Sequence, residues 1–222
     1  MPIAAIIVAS GESRRMGFDK LTADLNGKPV LYHAVAAFCH CASIDEIYLV
    51  CPDERFECLT ELQPLKKIHQ VQGGRDRQHS VLNGLNALSS ETTLVAVHDG
   101  ARPMIDIATI EKCIQAARQY GAATVARRVT ETLKRADAEG FARSGVDRAN
   151  LWFMETPQCF RVNLLKRGYK NVNERGAIVT DEVSVVETLG VSSYLVESGK
   201  PNIKITVSSD LKLASLLMAD PQ

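Results

Sequence analysis

The stretch IAAIIVASGESRRMGFDKL, Ile3 to Leu21, decides the fold. Ile3 to Ala9 is apolar without interruption and rich in β-branched side chains; the chain turns polar at Ser10. A strand covered by helices on both faces reads as a continuous apolar run, because neither side meets water. A loop carrying Gly11, Gly17, Arg14, Arg15 and Lys20 follows it at once. Loops at the C-terminal ends of strands are where open α/β sheets bind their ligands.

Three more runs fit the same description: EIYLVC (Glu46–Cys51), TLVAVH (Thr93–His98) and AATVAR (Ala122–Arg127). Helical patterns lie between them. Pro29 to Cys41 opens on a proline at a plausible first helical position. Arg77 to Leu88 sets Val81, Leu82, Leu85 and Leu88 on one stripe. Ala108 to Tyr120 continues a stripe of Ile107, Ile110, Ile114 and Ala117 and stops at Gly121. Strand and helix alternate through Arg127, which predicts an α/β fold, a mostly parallel sheet flanked by helices with right-handed crossovers. After Arg128 the rhythm breaks. Val129 to Phe153 is polar, carries Gly140 and Gly145, and reads as a protruding β-arm or a covered hairpin. Helices at Val162–Asn173 and Thr180–Leu189, a strand at Ser193–Val196, the segment NIKITV (Asn202–Val207) and a helix from Ser209 complete the pattern.

The chain has 222 residues, 26 Lys+Arg against 26 Asp+Glu, and no net charge. That balance gives no reason to expect nucleic acid or an anionic membrane as a partner, so the positive charge of the first loop is local and suits a small anion. No signal segment and no apolar run approaching a bilayer span is visible, and a cytoplasmic location is expected. The six cysteines sit mostly in apolar segments and form no C-x-x-C pair, the pattern of free thiols in a reducing compartment.

Two familiar phosphate loops fail on the first loop. A P-loop needs G-x-x-x-x-G-K-S/T, but Gly11 and Gly17 are one residue too far apart, and Phe18 and Asp19 replace the lysine and hydroxyl. A dinucleotide fingerprint needs G-x-G-x-x-G, which Ser13 and Met16 break. Backbone N–H groups with Arg14, Arg15 and Lys20 remain, a set suited to a triphosphate. Arginine supplies a planar fork to phosphate oxygens, lysine a point charge. Adjacent arginines seldom converge on one ligand, so one of the pair reads as solvated.

These blocks carry a resemblance. VASGESRRMGFDKL (Val8–Leu21), GGRDRQHSV (Gly73–Val81), VHDGARP (Val97–Pro103), VTETLKRA (Val129–Ala136), VDRANLWFMETPQCF (Val146–Phe160), TDE (Thr180–Glu182) and NIKIT (Asn202–Thr206) resemble the signature blocks of the 2-C-methyl-D-erythritol 4-phosphate cytidylyltransferases, in the family's order and over nearly the whole chain. The resemblance implies a Rossmann-like nucleotidyltransferase fold in one domain, residues 1–222, with a dimerisation arm at about 130–155. It implies transfer of a cytidylyl group from CTP to methylerythritol phosphate in isoprenoid precursor synthesis, with Mg²⁺ held mainly by the CTP phosphates and no protein metal ligand named. The acceptor phosphate is already an anionic nucleophile, so fixed cations, rather than a general base, are what the chemistry needs.

The resemblance also assigns residues. Arg15 and Lys20 hold the triphosphate, and Lys204 reaches the reacting phosphates. Backbone at Ala9, Ser10, Gly11 and Gly74, with Ser80, reads the nucleotide, and Asp99 and Gly100 stand beside it. Asp99, Arg102, Thr132, Arg148, Thr156 and Lys204 take the acceptor, Arg148 acting in trans across a homodimer. Ser10 stands where the family usually has Ala or Gly, and Leu21 where Gln is common, so contacts to the nucleotide can differ. Read without the family, several of these residues have plainer fits: Lys204 a solvated edge lysine, Asp99-Gly100 a turn pair, Gly73-Gly74 an ordinary loop, Arg148 a surface ion-pair partner, and Thr180-Asp181-Glu182 a helix start. The rivals are the same chemistry on ribitol 5-phosphate, a non-catalytic nucleotide-binding homologue, and a nicotinamide oxidoreductase that the missing glycine fingerprint disfavours.

Overall fold

A computed structural model describes residues 2–11, 16–62 and 64–219. Arg14 and Arg15 therefore lie outside the described residues. The strands are β1 (Ile3–Val8), β2 (Asp24–Leu25), β3 (Lys28–Pro29), β4 (Glu46–Val50), β5 (Lys67–Val71), β6 (Leu94–Asp99), β7 (Ala122–Arg128), β8 (Leu133–Ala136), β9 (Ala142–Val146), β10 (Trp152–Arg161) and β11 (Tyr194–Glu197). The helices are α1 (Val30–His40), α2 (Asp53–Glu57), α3 (Arg77–Ala87), α4 (Ile107–Tyr120), α5 (Val162–Glu174), α6 (Glu182–Glu187) and α7 (Ser208–Ala219).

A seven-stranded sheet runs in the order β11-β7-β10-β6-β1-β4-β5. The pairs β1–β4, β1–β6, β4–β5 and β7–β11 are parallel. β10 is antiparallel to both β6 and β7. β1 alternates between two cores, as a strand's period of two requires: Ile3, Ala5 and Ile7 join the core under α1 and α4, Ala4 and Ile6 the core under α3, α5 and α6. α1 buries Val30, Leu31, Ala34, Val35, Phe38 and Cys39. At about 1.5–3 kcal/mol for each large side chain, that face alone anchors the helix. In α4, Ile110, Ile114 and Ala117 are fully buried as the stripe predicts, but Ile107, at the first helical position, is exposed. Gly121 ends α4 in the left-handed region, φ 88°, where a side chain would be strained.

The four expected strands are present within a residue at either end. β5, half-polar, and β10 were not anticipated. The sequence leads one to expect the arm to run to Phe153; instead Trp152 and Phe153 already pair with Arg128 and Arg127, so the excursion ends before β10. NIKITV forms no strand. It is extended chain held from the side, with the Ile205 N–H donating to Ala101 O at 2.8 Å and Asn202 Nδ2 to Thr156 O at 2.8 Å. Pro29 is the residue before α1 rather than its first. Asp181, not Thr180, caps α6, accepting from the Ser184 N–H. β8 and β9 pair only with each other, and every residue of these two strands is exposed except the half-buried Leu133 and Val146. Among the described residues no helix is long and apolar enough to cross a membrane.

Candidate active site

The site forms between β1 and β6, where the strand order reverses and the chain proceeds toward opposite edges of the sheet, the place an α/β sheet opens a crevice. A cleft of about 520 Å³ is lined by Val8–Gly11 after β1, Lys20 and Leu21, Gly74–Arg77 before α3, Asp99 at the end of β6, and Lys204 and Thr206. A second cleft of about 440 Å³ is lined by Arg102, Glu155, Thr156 and Asp181 among others. Arg77, Asp99 and Lys204 line both. They form the wall where the two clefts meet.

Asp99 organises that wall. Its carboxylate accepts from Lys204 Nζ at 2.8 Å and Arg77 Nε at 3.1 Å, and Arg102 Nε stands 3.8 Å away. Burial works against the charged carboxylate, but Arg77, Lys204 and Arg102 outweigh it and hold Asp99 well below the usual range. Arg77 also donates its two terminal nitrogens to Glu182 at 2.8 Å each. Its burial favours loss of the proton, yet Glu182 and Asp99 raise its pKa further still. Glu182 is 1 % exposed and takes a further bond from Tyr169 Oη at 2.9 Å. Arg77, Lys204 and Arg102 thus surround Asp99, with Glu182 behind Arg77 and Glu155 beside Arg102, and these fixed cations are what an anionic ligand would meet at the junction.

A chain of hydrogen bonds fixes Asp99 from behind. The Asp99 N–H donates to Thr156 Oγ1 at 3.1 Å. His98 Nε2 lies 3.2 Å from the Arg102 carbonyl, which only accepts, so Nε2 carries the proton. His98 Nδ1 then accepts from the Thr156 hydroxyl at 2.9 Å. His98 is fully buried, and burial lowers its pKa to about 4, against the pull of Asp99, so the ring is neutral. Thr156 lines the second cleft, but its proton is committed inward, and it acts here by seating Asp99.

The residues expected to read the nucleotide are tied together from below. The Ser80 hydroxyl donates to Asp76 O at 2.8 Å and accepts from the Gly74 N–H at 3.0 Å and from Ser10 Oγ at 2.8 Å. Ser80 is fully buried and does not line the cleft; it stitches the loop after β1 to the loop before α3. A Cβ on Gly74 would come within 2.4 Å of His79 Cβ, and one on Gly73 within 2.5 Å of Ser10 Cβ, so only glycine permits this approach. Gly100 also stays off the cleft lining; it is buried, and its missing side chain makes room for Leu31. Ala9, Ser10 and Gly11 lie at the cleft, as does Lys20, whose Nζ donates to Ile205 O at 2.8 Å. Arg102 is buried and braces the second cleft through Asn202 O at 2.7 Å and Met154 O at 3.4 Å. Arg15 lies outside the described residues.

A model of the 2-C-methyl-D-erythritol 4-phosphate cytidylyltransferases matches residues 3–220. The chain belongs to this family. The cytidylyltransferase of Clostridium perfringens is 38% identical over 220 residues, 96% of each chain. The chloroplastic enzyme of rice is 37% identical over 97% of this chain and 74% of its own length. Among solved structures, the 4-diphosphocytidyl-2C-methyl-D-erythritol synthase of Anaerococcus prevotii superposes with a TM-score of 0.87 at 27% identity over 99% of both chains. The 2-C-methyl-D-erythritol 4-phosphate cytidylyltransferase of Thermus thermophilus superposes at 0.82 with 30% identity, over 99% of this chain and 100% of that one. The chain is accordingly an enzyme, a nucleotidyltransferase.

Within this cytidylyltransferase the fold brings Ala9, Ser10, Gly11, Lys20, Gly74, Asp99 and Lys204 to one cleft and Arg102 and Thr156 to its neighbour. Thr132 and Arg148 line neither; both sit exposed at the arm, where Arg148 donates to Thr130 O. Arg77 and Glu182 escaped sequence reasoning. Arg77 lay in plain view in GGRDRQHSV, while Glu182 reads as an ordinary first-turn acid. No local pattern announces that α6 carries the counter-ion of α3.

Proposed function

We propose that this enzyme transfers the cytidylyl group of CTP to 2-C-methyl-D-erythritol 4-phosphate, with CTP in the first cleft and the acceptor in the second. The observation that carries the arrangement is the shared wall of Arg77, Asp99 and Lys204: two ligand-sized clefts meet where fixed cations gather round one carboxylate. An acceptor phosphate oxygen attacks the α-phosphorus. A P–O bond forms there, the bond to the β-phosphate bridge breaks, and pyrophosphate leaves with that electron pair. The nucleophile is already deprotonated, so catalysis reduces to alignment and neutralisation of anions.

In this reading the backbone at Ala9, Ser10, Gly11 and Gly74, with Ser80 and Gly100 beneath it, seats the nucleotide. Lys20 and Arg15 hold the triphosphate. Lys204, poised on Asp99, serves both substrates. Asp99 and Arg102 face the acceptor, and Thr156 holds Asp99. Mg²⁺ fits as a passenger of the triphosphate, where it would neutralise phosphate charge. The carboxylates at the first cleft are Asp76, which caps α3, and Asp99, which is already engaged by cations, so phosphate oxygens are its natural ligands. Among the described residues no cluster of His, Cys, Asp and Glu has the makings of a metal site.

The arm supports a homodimer. Its hairpin buries almost nothing within one chain, with Phe141 at its tip 64% exposed and Phe153 in β10 39% exposed. A second subunit would cover these residues and receive Arg148, with Thr132 beside it, at its acceptor cleft. Buried free cysteines accord with a cytoplasmic location. The test of the reaction is pyrophosphate release from CTP and Mg²⁺ with methylerythritol phosphate or ribitol 5-phosphate as acceptor. Release with the first is expected; release only with the second would move the enzyme to a different polyol phosphate.

A further inference from the structure

We infer that Arg55 is a positioning residue for CTP, fastening the start of the loop after β1, Ala9 to Gly11, so that its backbone donors, rather than its carbonyls, meet the phosphates. The inference rests on the reading of the first cleft as the nucleotide site. Arg55 belongs to α2, a one-turn helix after β4, and it is the only residue of that helix that is buried, at 6% exposure. A buried guanidinium is costly unless it is paired and hydrogen-bonded. All three nitrogens of Arg55 are used, and all three go to the loop. Nε donates to Asp19 Oδ2 at 2.7 Å, one terminal nitrogen to Ala9 O, and the other to Gly11 O at 2.8 Å.

The consequence follows from the trans peptide. Its C=O and N–H point in opposite directions, so a carbonyl turned toward Arg55 sends the next N–H the other way. The Ala9 carbonyl is turned to Arg55 while Ala9 and Ser10 line the cleft. Arg55 therefore neutralises two carbonyls that would repel a triphosphate and orients the Ala9–Ser10 amide dipole to attract one. Its third bond reaches Asp19, the residue before Lys20, so one side chain spans both stems of the loop. Only a planar fork can do this; a lysine ammonium in the same place cannot reach three acceptors so spaced.

Arg55→Ala, Arg55→Lys and Asp19→Asn test the inference by titration calorimetry with CTP, by steady-state transfer, and by thermal melting of each variant. Arg55→Ala should weaken CTP binding by about tenfold or more, because charge-assisted bonds of this kind are lost. Acceptor KM should stay within about twofold. Millimolar guanidinium should restore part of the CTP affinity of Arg55→Ala, and Arg55→Lys should remain impaired. If Arg55→Ala does not fold, Asp19→Asn should weaken CTP binding by a smaller factor in the same direction. A folded Arg55→Ala with CTP affinity within about twofold of the parent overturns the inference, as does an equal loss of both substrates with no response to guanidinium. A parent that binds CTP yet transfers nothing would instead count against the proposed reaction and leave the binding test of Arg55 intact.

Discussion

Single side chains divide the labour between attracting anions and holding those attractors still. Lys20 should matter for the triphosphate: Lys20→Ala is expected to lower kcat/KM by about 10²–10³, the usual scale for removing one fixed charge from a reacting phosphate or oxyanion, with the melting temperature little changed. His98 belongs to the holding side and leaves a mark on stability. Its folded pKa is about 4, and an unfolded histidine titrates near 6.5. As pH falls below about 6.5 the unfolded chain gains a proton that the folded one does not, so stability drops until pH 4. The full loss is about 3 kcal/mol. Urea midpoints followed across that window should fall for the parent and flatten in His98→Gln; parallel curves would mean that another group dominates. At this scale the cations of the site were in view in the sequence, since Lys20 and Lys204 sit in short motifs. It hid the holders. Arg55, His98 and, in its holding role, Thr156 are ordinary residues whose partners lie 44, 58 and 57 positions away, a separation no local pattern records.

Elements carry the site through their ends. β1 and β6 end at the cleft, α3 begins there with Arg77, and α6 supplies the Glu182 that neutralises it from the other side. Glu182→Gln should leave the Arg77 charge under-compensated. Arg77 keeps 28% of its side chain exposed, so the cost is set below that of a fully buried pair, at about 2 kcal/mol. Transfer activity should fall with it, because Arg77 also pairs with Asp99. A melting point and kcat both equal to the parent's would show that α6 is a bystander. Most elements were legible because their burial is continuous or strictly periodic. β10 was not. Its apolar residues are interrupted by Glu155, Thr156 and Gln158, all buried for the sake of polar partners, so a central strand reads as loop. The segment around Lys204 erred the other way: its alternation suggests a strand, but side-chain bonds from Asn202 and Lys20, with one backbone bond to Ala101, hold it in place of a ladder.

At the scale of the molecule, one sheet builds both clefts and an arm leaves it with little of its surface covered. If that arm completes a neighbour's site, Arg148→Ala and Lys20→Ala enzymes, each impaired, should recover activity when mixed and allowed to exchange subunits, since one mixed site is intact. Recovery absent despite demonstrated exchange would remove the trans role of Arg148. The measurement that bears most directly on the whole account is the turnover of Lys204→Ala with CTP and methylerythritol phosphate both saturating, read as pyrophosphate released. Lys204 stands on the wall between the clefts and pairs with Asp99 at 2.8 Å. A drop in kcat of about 100-fold or more, with CTP still bound, is the expected result for a cation that acts where the two substrates meet. Undiminished turnover would mean that the shared wall is not where the phosphates react.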